Sequence, residues 1–121
     1  MLGGLWLWGY ENEQTVSALT AFAAIPVANL RKVTVSWTAP GGSDSVLVVR
    51  KIGSAPTTTS DGTVVYSSTG SSVTDANLDD GAAHYYAGFN ELGGEYSSPS
   101  IALAIPSGDR ITLYSSRSRK R

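Results

Sequence analysis

A chain of 121 residues, with 10 acidic and 9 basic side chains and 41% hydrophobic residues, is long enough to bury one core and too short for two domains side by side. The absence of cysteine excludes a disulfide framework, a thiolate nucleophile and a Cys-ligated metal site. The net charge of -1 hides an asymmetry: Arg117, Arg119, Lys120 and Arg121 place +4 in the last five residues and leave -5 on everything before them.

The first stretch, Met1-Leu2-Gly3-Gly4-Leu5-Trp6-Leu7-Trp8, is apolar, has no Lys or Arg ahead of it and is followed by Glu11 and Glu13. That pattern differs from a secretory signal, so the segment is expected to belong to the mature protein. The longest apolar candidate, 18–30, is broken by Thr20, Pro26 and Asn29 and falls short of the roughly 18 residues that a spanning helix needs. A soluble chain with no membrane partner is the expectation.

From residue 16 onward, apolar residues alternate with polar ones in short runs, with no helical stripe of convincing length. The runs predict strands over 16–25, 32–38, 45–52, 62–67, 71–74, 84–90 and 97–105, with a further possible strand over 110–114. In the second run Val33, Val35 and Trp37 share one face, while Thr34, Ser36 and Thr38 share the other. Pro40-Gly41-Gly42, Asp61-Gly62, Asp80-Gly81 and Gly93-Gly94 supply the positive-φ positions of tight turns, and 90–96 reads as a hairpin. The expected class is all-β, an antiparallel sandwich of seven strands plus one.

Several segments resemble the bacterial and phage sort of fibronectin type III domain. "VTVSWTAP" at 33–40 is similar to the family's second strand with its core Trp, and "VVRKIGSAPTTTSDGTVVY" at 48–66 to a strand and long polar loop. "VTDANLDDGAAHYYA" at 73–87 and "NELGGEYSSPS" at 90–100 are similar to the sixth strand and the final hairpin. The resemblance runs over 16–106, about three quarters of the chain. It implies a seven-stranded sandwich flanked by an N-terminal arm (1–15) and a C-terminal arm (107–121). The family places Tyr six residues after the Leu that opens its sixth strand, whereas His84 stands six after Leu78. Either His84 takes over that corner hydrogen bond or the register slips by one; the first is expected, with Tyr86 inward and Tyr85 outward.

Chemistry-bearing clusters are sparse. His84 is the sole histidine and has no recognisable nucleophile or acid motif beside it, which points to a structural role. Asp75, Asp79 and Asp80 match no calcium loop, and turn and solvation roles are expected for them. No glycine run reads as a phosphate cradle, and the polar loop 53–62 reads as a flexible connection. No catalytic residue, cofactor or metal is assigned.

The two ends carry the interaction signal. Leu5, Trp6, Leu7, Trp8 and Tyr10 gather apolar and aromatic surface outside the strands, as interfaces do. Arg117, Arg119, Lys120 and Arg121 form a basic tail suited to an acidic neighbour; nucleic acid is not the expected partner, because no aromatic platform accompanies the charges. Through the family resemblance these features imply a non-catalytic phage virion component, a capsid decoration or tail-associated protein, located in the virion. Its partners would be other virion proteins and copies of itself. The alternative is a glycan- or cell-surface-binding adhesion module, extracellular or on a cell surface, using Tyr85, Tyr96 or Tyr114 on sugar rings.

Overall fold

The computed structural model describes residues 16–107, which contain strands and connections and no helix. The strands are β1 (Thr20–Val27), β2 (Lys32–Thr38), β3 (Ser45–Ile52), β4 (Thr63–Ser68), β5 (Ser72–Asp75), β6 (His84–Leu92), β7 (Glu95–Tyr96) and β8 (Ser100–Ala104). They form two antiparallel sheets: β1-β2-β5, and β4-β3-β6 with β7 and β8 both paired to β6.

Alternation builds the core. Val33, Val35 and Trp37 on β2 are buried and face Val46 and Val48 on β3 and Tyr86 on β6 across the sandwich. Trp37 packs between Phe22 (ring centroids 6.3 Å) and Tyr66 (5.2 Å). Its indole N–H donates to the Gly70 carbonyl at 3.1 Å, which gives a buried donor the partner it needs. The Gly70 N–H in turn donates to the Tyr66 hydroxyl at 2.6 Å, so the β4–β5 turn is fastened to Trp37 through its carbonyl and to Tyr66 through its N–H.

Two predicted strands change shape for identifiable reasons. The run expected over 16–25 enters the ladder only at Thr20, and a bulge follows: Thr20 pairs with Thr38 and the next pair is Ala23 with Ser36. Ala21 takes a φ of 52° there, and the extra residue turns Phe22 toward Trp37. Residues 16–19 instead hold on through their carbonyls, Ser17 accepting from Asn90 Nδ2 and Leu19 from Ser100 Oγ, both at 2.9 Å. The run expected over 97–105 starts late: only Ser100–Ala104 forms a strand, β8, and β7 (Glu95–Tyr96) precedes the run. Ser97 donates its N–H to the Asn90 carbonyl and accepts the Asn90 N–H on its hydroxyl, and Pro99 has no N–H to offer a ladder. Between β6 and β7, Gly93 and Gly94 at φ 61° and 86° make the two-residue turn in which both positions need positive φ.

Strand direction gives the sandwich two poles. The upper pole holds Thr20, Thr38, Ser45, Asn90 and Ser100; the lower holds Val27, Lys32, Ile52, His84 and Ala104. The loop 53–62, expected to be a flexible connection, is tied down. Asp61 accepts from Lys51 Nζ at 2.8 Å and from the Thr57 N–H at 2.9 Å, and Pro56 is fully buried. Gly62 closes this loop at φ 138°, where an added Cβ would lie 2.3 Å from the Arg50 carbonyl oxygen. Gly62→Ala is therefore expected to lower stability by about 2–4 kcal/mol, read as a shift in the urea unfolding midpoint. Gly41→Ala, whose Cβ meets nothing within 4 Å, should change it by less than about 0.5 kcal/mol.

Candidate interaction surfaces

The best-connected polar group lies between the sheets. Asp75 at the end of β5 accepts two hydrogen bonds from Arg50 Nη1 on β3, at 3.0 and 2.9 Å, and a third from the Tyr86 hydroxyl on β6 at 2.9 Å. One carboxylate of the smaller sheet thus grips two strands of the larger. Burial, followed by the adjacent negative charge of Asp75, pushes the Tyr86 phenol far above the ordinary tyrosine range, so it stays a neutral donor. The turn or solvation role expected for Asp75 is corrected by this placement: the residue is withdrawn from water and bonded on every side that the two sheets present. Asp79 lies in the loop beyond, exposed, with its carbonyl accepting from the Ala82 N–H.

His84 is buried, and its Nδ1 shares a hydrogen bond of 2.8 Å with the carbonyl of Ala82. It stands in the expected register, with Tyr86 inward beside it and Tyr85 turned outward and partly exposed. Among the described residues no group of three or more His, Cys, Asp or Glu could hold a metal ion. Among the described residues no helix is long and apolar enough to cross a membrane.

The interaction residues read from sequence, Leu5, Trp6, Leu7, Trp8, Tyr10, Arg117, Arg119, Lys120 and Arg121, lie outside the described residues, as do the possible strand at 110–114 and Tyr114. Their points of attachment are described. Val16 is buried at the upper pole beside Asn90. Ser107 sits at the lower pole, where its carbonyl accepts from the Arg31 N–H at 2.7 Å and its hydroxyl from the Asn29 N–H at 3.1 Å. The aromatic segment therefore precedes one pole and the basic tail follows the other.

No protein-family model and no curated protein sequence matches the chain. Solved structures do. An Fn3-like protein from Clostridium thermocellum matches with a TM-score of 0.62 and 17% identity, over 77% of this chain and 95% of that one. A computationally redesigned β-sandwich protein matches with a TM-score of 0.65 and 21% identity, over 78% and 93% of the two chains. The FN3 domain of human collagen XX matches with a TM-score of 0.58 and 18% identity, over 75% and 93%.

The domain has the fibronectin type III fold.

Within this fibronectin type III-like module the two outward faces differ in kind. The smaller sheet turns Thr34 and Ser36 outward on β2 beside Ile25 and Ala23 of β1, Ile25 being 60% exposed, and Ser72 and Thr74 are exposed on β5. The larger sheet turns Leu47, Val49, Tyr85, Ala87, Phe89, Ile101 and Leu103 outward, as the pairs Leu47–Phe89, Val49–Ala87, Ala87–Ile101 and Tyr85–Leu103 show. Val49, Ala87 and Phe89 form a small second core on that side, while Ile101 and Leu103 remain 44% and 48% exposed. Sequence reading missed this face because β8 carries small Ala102 and Ala104 inward and large Ile101 and Leu103 outward, the reverse of the usual assignment.

Removing the acid of the inter-sheet group should be costly. Asp75→Ala leaves a guanidinium and a phenol without their partner and is expected to destabilise the fibronectin type III-like fold by about 3 kcal/mol; Tyr86→Phe removes one bond, for about 1 kcal/mol. Equilibrium denaturation of both, with the double variant, checks the coupling. At the 53–62 loop, the Lys51 hydrogen bond and then the Thr57 N–H hold the Asp61 carboxyl below its ordinary value. Its contribution is therefore complete above about pH 4 and disappears as pH falls through the lower folded-state value. Amide exchange at Thr57 should accelerate on acidification in the parent and lose that step in Asp61→Asn.

Proposed function

We propose that the chain is a non-catalytic structural component of a phage virion, a capsid decoration or tail-associated protein, that docks through its two terminal segments and displays the sandwich between them. The observation that carries the reading is the separation of the attachment points. An apolar, aromatic segment joins the domain at Val16 on the upper pole, and a basic one leaves it after Ser107 on the lower pole. A rigid sandwich gripped at both ends spans its neighbours, which is the work of a spacer or coat subunit. The resemblance of 33–40, 48–66, 73–87 and 90–100 to bacterial and phage fibronectin type III domains supports the virion setting, and a fold of this kind, met mainly in non-catalytic modules, supports the absence of chemistry.

A second reading has one observation in its favour. Tyr96, at the end of β7, is exposed and meets Phe89 edge-on at 6.5 Å, a ring available for stacking on a sugar. A module working that way would bind free saccharide as a monomer.

Light scattering on the full chain, and on chains lacking 1–10 or 117–121, tests the first reading. The full chain should assemble with a regular mass, and each trimmed chain should stay folded and lose assembly. One-chain mass for the full protein at every concentration, together with saturable binding of an oligosaccharide, would overturn it in favour of the second.

A further inference from the structure

At the lower pole the β1–β2 turn and the loop after β5 leave between them a depression of about 270 Å³, lined by Asn29, Leu30, Arg31 and Asn77. Hydrogen bonds frame it. Arg31 donates its N–H to the Ser107 carbonyl at 2.7 Å, accepts the Leu78 N–H on its own carbonyl at 3.1 Å and donates from Nε to the Leu78 carbonyl at 2.8 Å. The Asn29 N–H donates to the Ser107 hydroxyl at 3.1 Å, and Leu78 is itself part of the core. The walls are therefore fixed to the sandwich before anything binds, which spares a ligand the cost of ordering them.

Backbone geometry singles the place out. Among the described residues four other than glycine hold a positive φ, and three of them line this depression: Asn29 at 63°, Arg31 at 53° and Asn77 at 60°. Arg31 has a cause in its tethers to Ser107 and Leu78. The two asparagines do not. Asn visits this region readily when its amide bonds the nearby backbone, yet neither side-chain amide makes a hydrogen bond among the described residues, and glycine would hold the same φ without strain.

The lining groups agree on a ligand. With Nε bonded to Leu78, Nη1 and Nη2 of Arg31 make no hydrogen bond or ion pair among the described residues, and a planar fork of this sort matches a carboxylate. The two amides each offer N–H donors and a carbonyl acceptor, the complement of a hydroxyl, which both gives and takes. Leu30, 56% exposed, supplies an apolar flank for C–H groups. None of the four is acidic, and Asp79 and Asp80, next in the same loop, do not line the depression. A single cation with two carboxylates a few residues away suits one negative charge better than the two of a phosphate monoester. The volume falls just below the ~300 Å³ at which sites for drug-sized ligands begin, so the occupant is one small ring.

We propose that the lower-pole depression binds a carboxylate-bearing sugar, a hexuronic acid unit, with the Arg31 fork on the carboxylate and the Asn29 and Asn77 amides on ring hydroxyls. The site is built from described residues of the sandwich alone, so it neither requires the terminal docking proposed above nor competes with it; it adds an acidic glycan to the contacts of a displayed module. It lies at the opposite pole from Tyr96, the ring that a sugar-stacking module would use.

Titration of the isotope-labelled full chain with D-glucuronate, D-glucose and acetate, at constant pH and ionic strength and followed by NMR, tests it. Glucuronate should move the Arg31 Nε–H and the Asn29 and Asn77 side-chain amide signals along one saturating curve, with a Kd on the order of 1 mM. Acetate, which lacks the hydroxyls, and glucose, which lacks the charge, should each bind at least about tenfold more weakly. Asn29→Gly and Asn77→Gly suit the positive φ, so their unfolding midpoints should stay near the parent's, while their affinity for glucuronate falls about fivefold. Arg31→Lys keeps the charge, loses the fork and should bind at least about tenfold more weakly; because it also loses the Leu78 bond, the two glycine variants decide the matter if its midpoint drops. Acetate binding as tightly as glucuronate would refute the saccharide. Signals that do not saturate or that move elsewhere, or an unchanged affinity in both glycine variants, would overturn the site.

Discussion

The hydrogen bond from Tyr86 to Asp75 sets the parity of β6, and with it the character of every surface on the larger sheet. Because side chains alternate with a period of two, Tyr86 turned into the sandwich forces Tyr85, Ala87 and Phe89 outward. The ladders carry that parity to the neighbours: Leu47 and Val49 on β3, and Ile101 and Leu103 on β8, are outward because their partners are. A one-residue slip would bury Tyr85 in place of Tyr86 and leave Asp75 and Arg50 facing each other without their phenol. The inter-sheet group thus does more than join two layers; it selects which of two opposite faces meets water.

That selection makes the sandwich one-sided. The smaller sheet's outward face is mostly Ser and Thr with Ile25 exposed among them, whereas the larger sheet leaves Ile101 and Leu103 in water, and covering such apolar surface is favourable by about 25 cal/mol for each Å². The polarity from end to end adds direction. Asp44, Glu91 and Glu95 line the upper rim, whereas in the lower half Arg50 and Lys51 are balanced by Asp75 and Asp61.

Much of this was legible in the residues. The period-2 runs and the Gly-rich turns gave the sandwich, and Trp37 followed by Ala39 and Pro40 marked the core strand, because a large aromatic in an alternating run can only be satisfied inside. His84 and Tyr86 fell where the spacing from Leu78 put them. What alternation could not show was the bulge at Ala21, since an extra residue leaves no trace in an apolar pattern, or the break at Ser97, whose cause is a pair of hydrogen bonds to Asn90, seven residues earlier across the β6–β7 hairpin. Asp75 was misread because its partner is distant: a carboxylate near Asp79 and Asp80 looks like part of a solvated turn until Arg50, 25 residues away in sequence, is found against it. The apolar outward face was not legible because β8 places its smaller residues, Ala102 and Ala104, inside.

The account stands on Tyr86 being the inward residue of β6, bonded to Asp75 between the sheets, with Tyr85 turned outward. Nitration of the folded protein, located by fragment mass spectrometry, measures it directly. Modification at Tyr85 with Tyr86 spared until the protein unfolds is the predicted result. Modification of Tyr86 with Tyr85 spared would contradict the account.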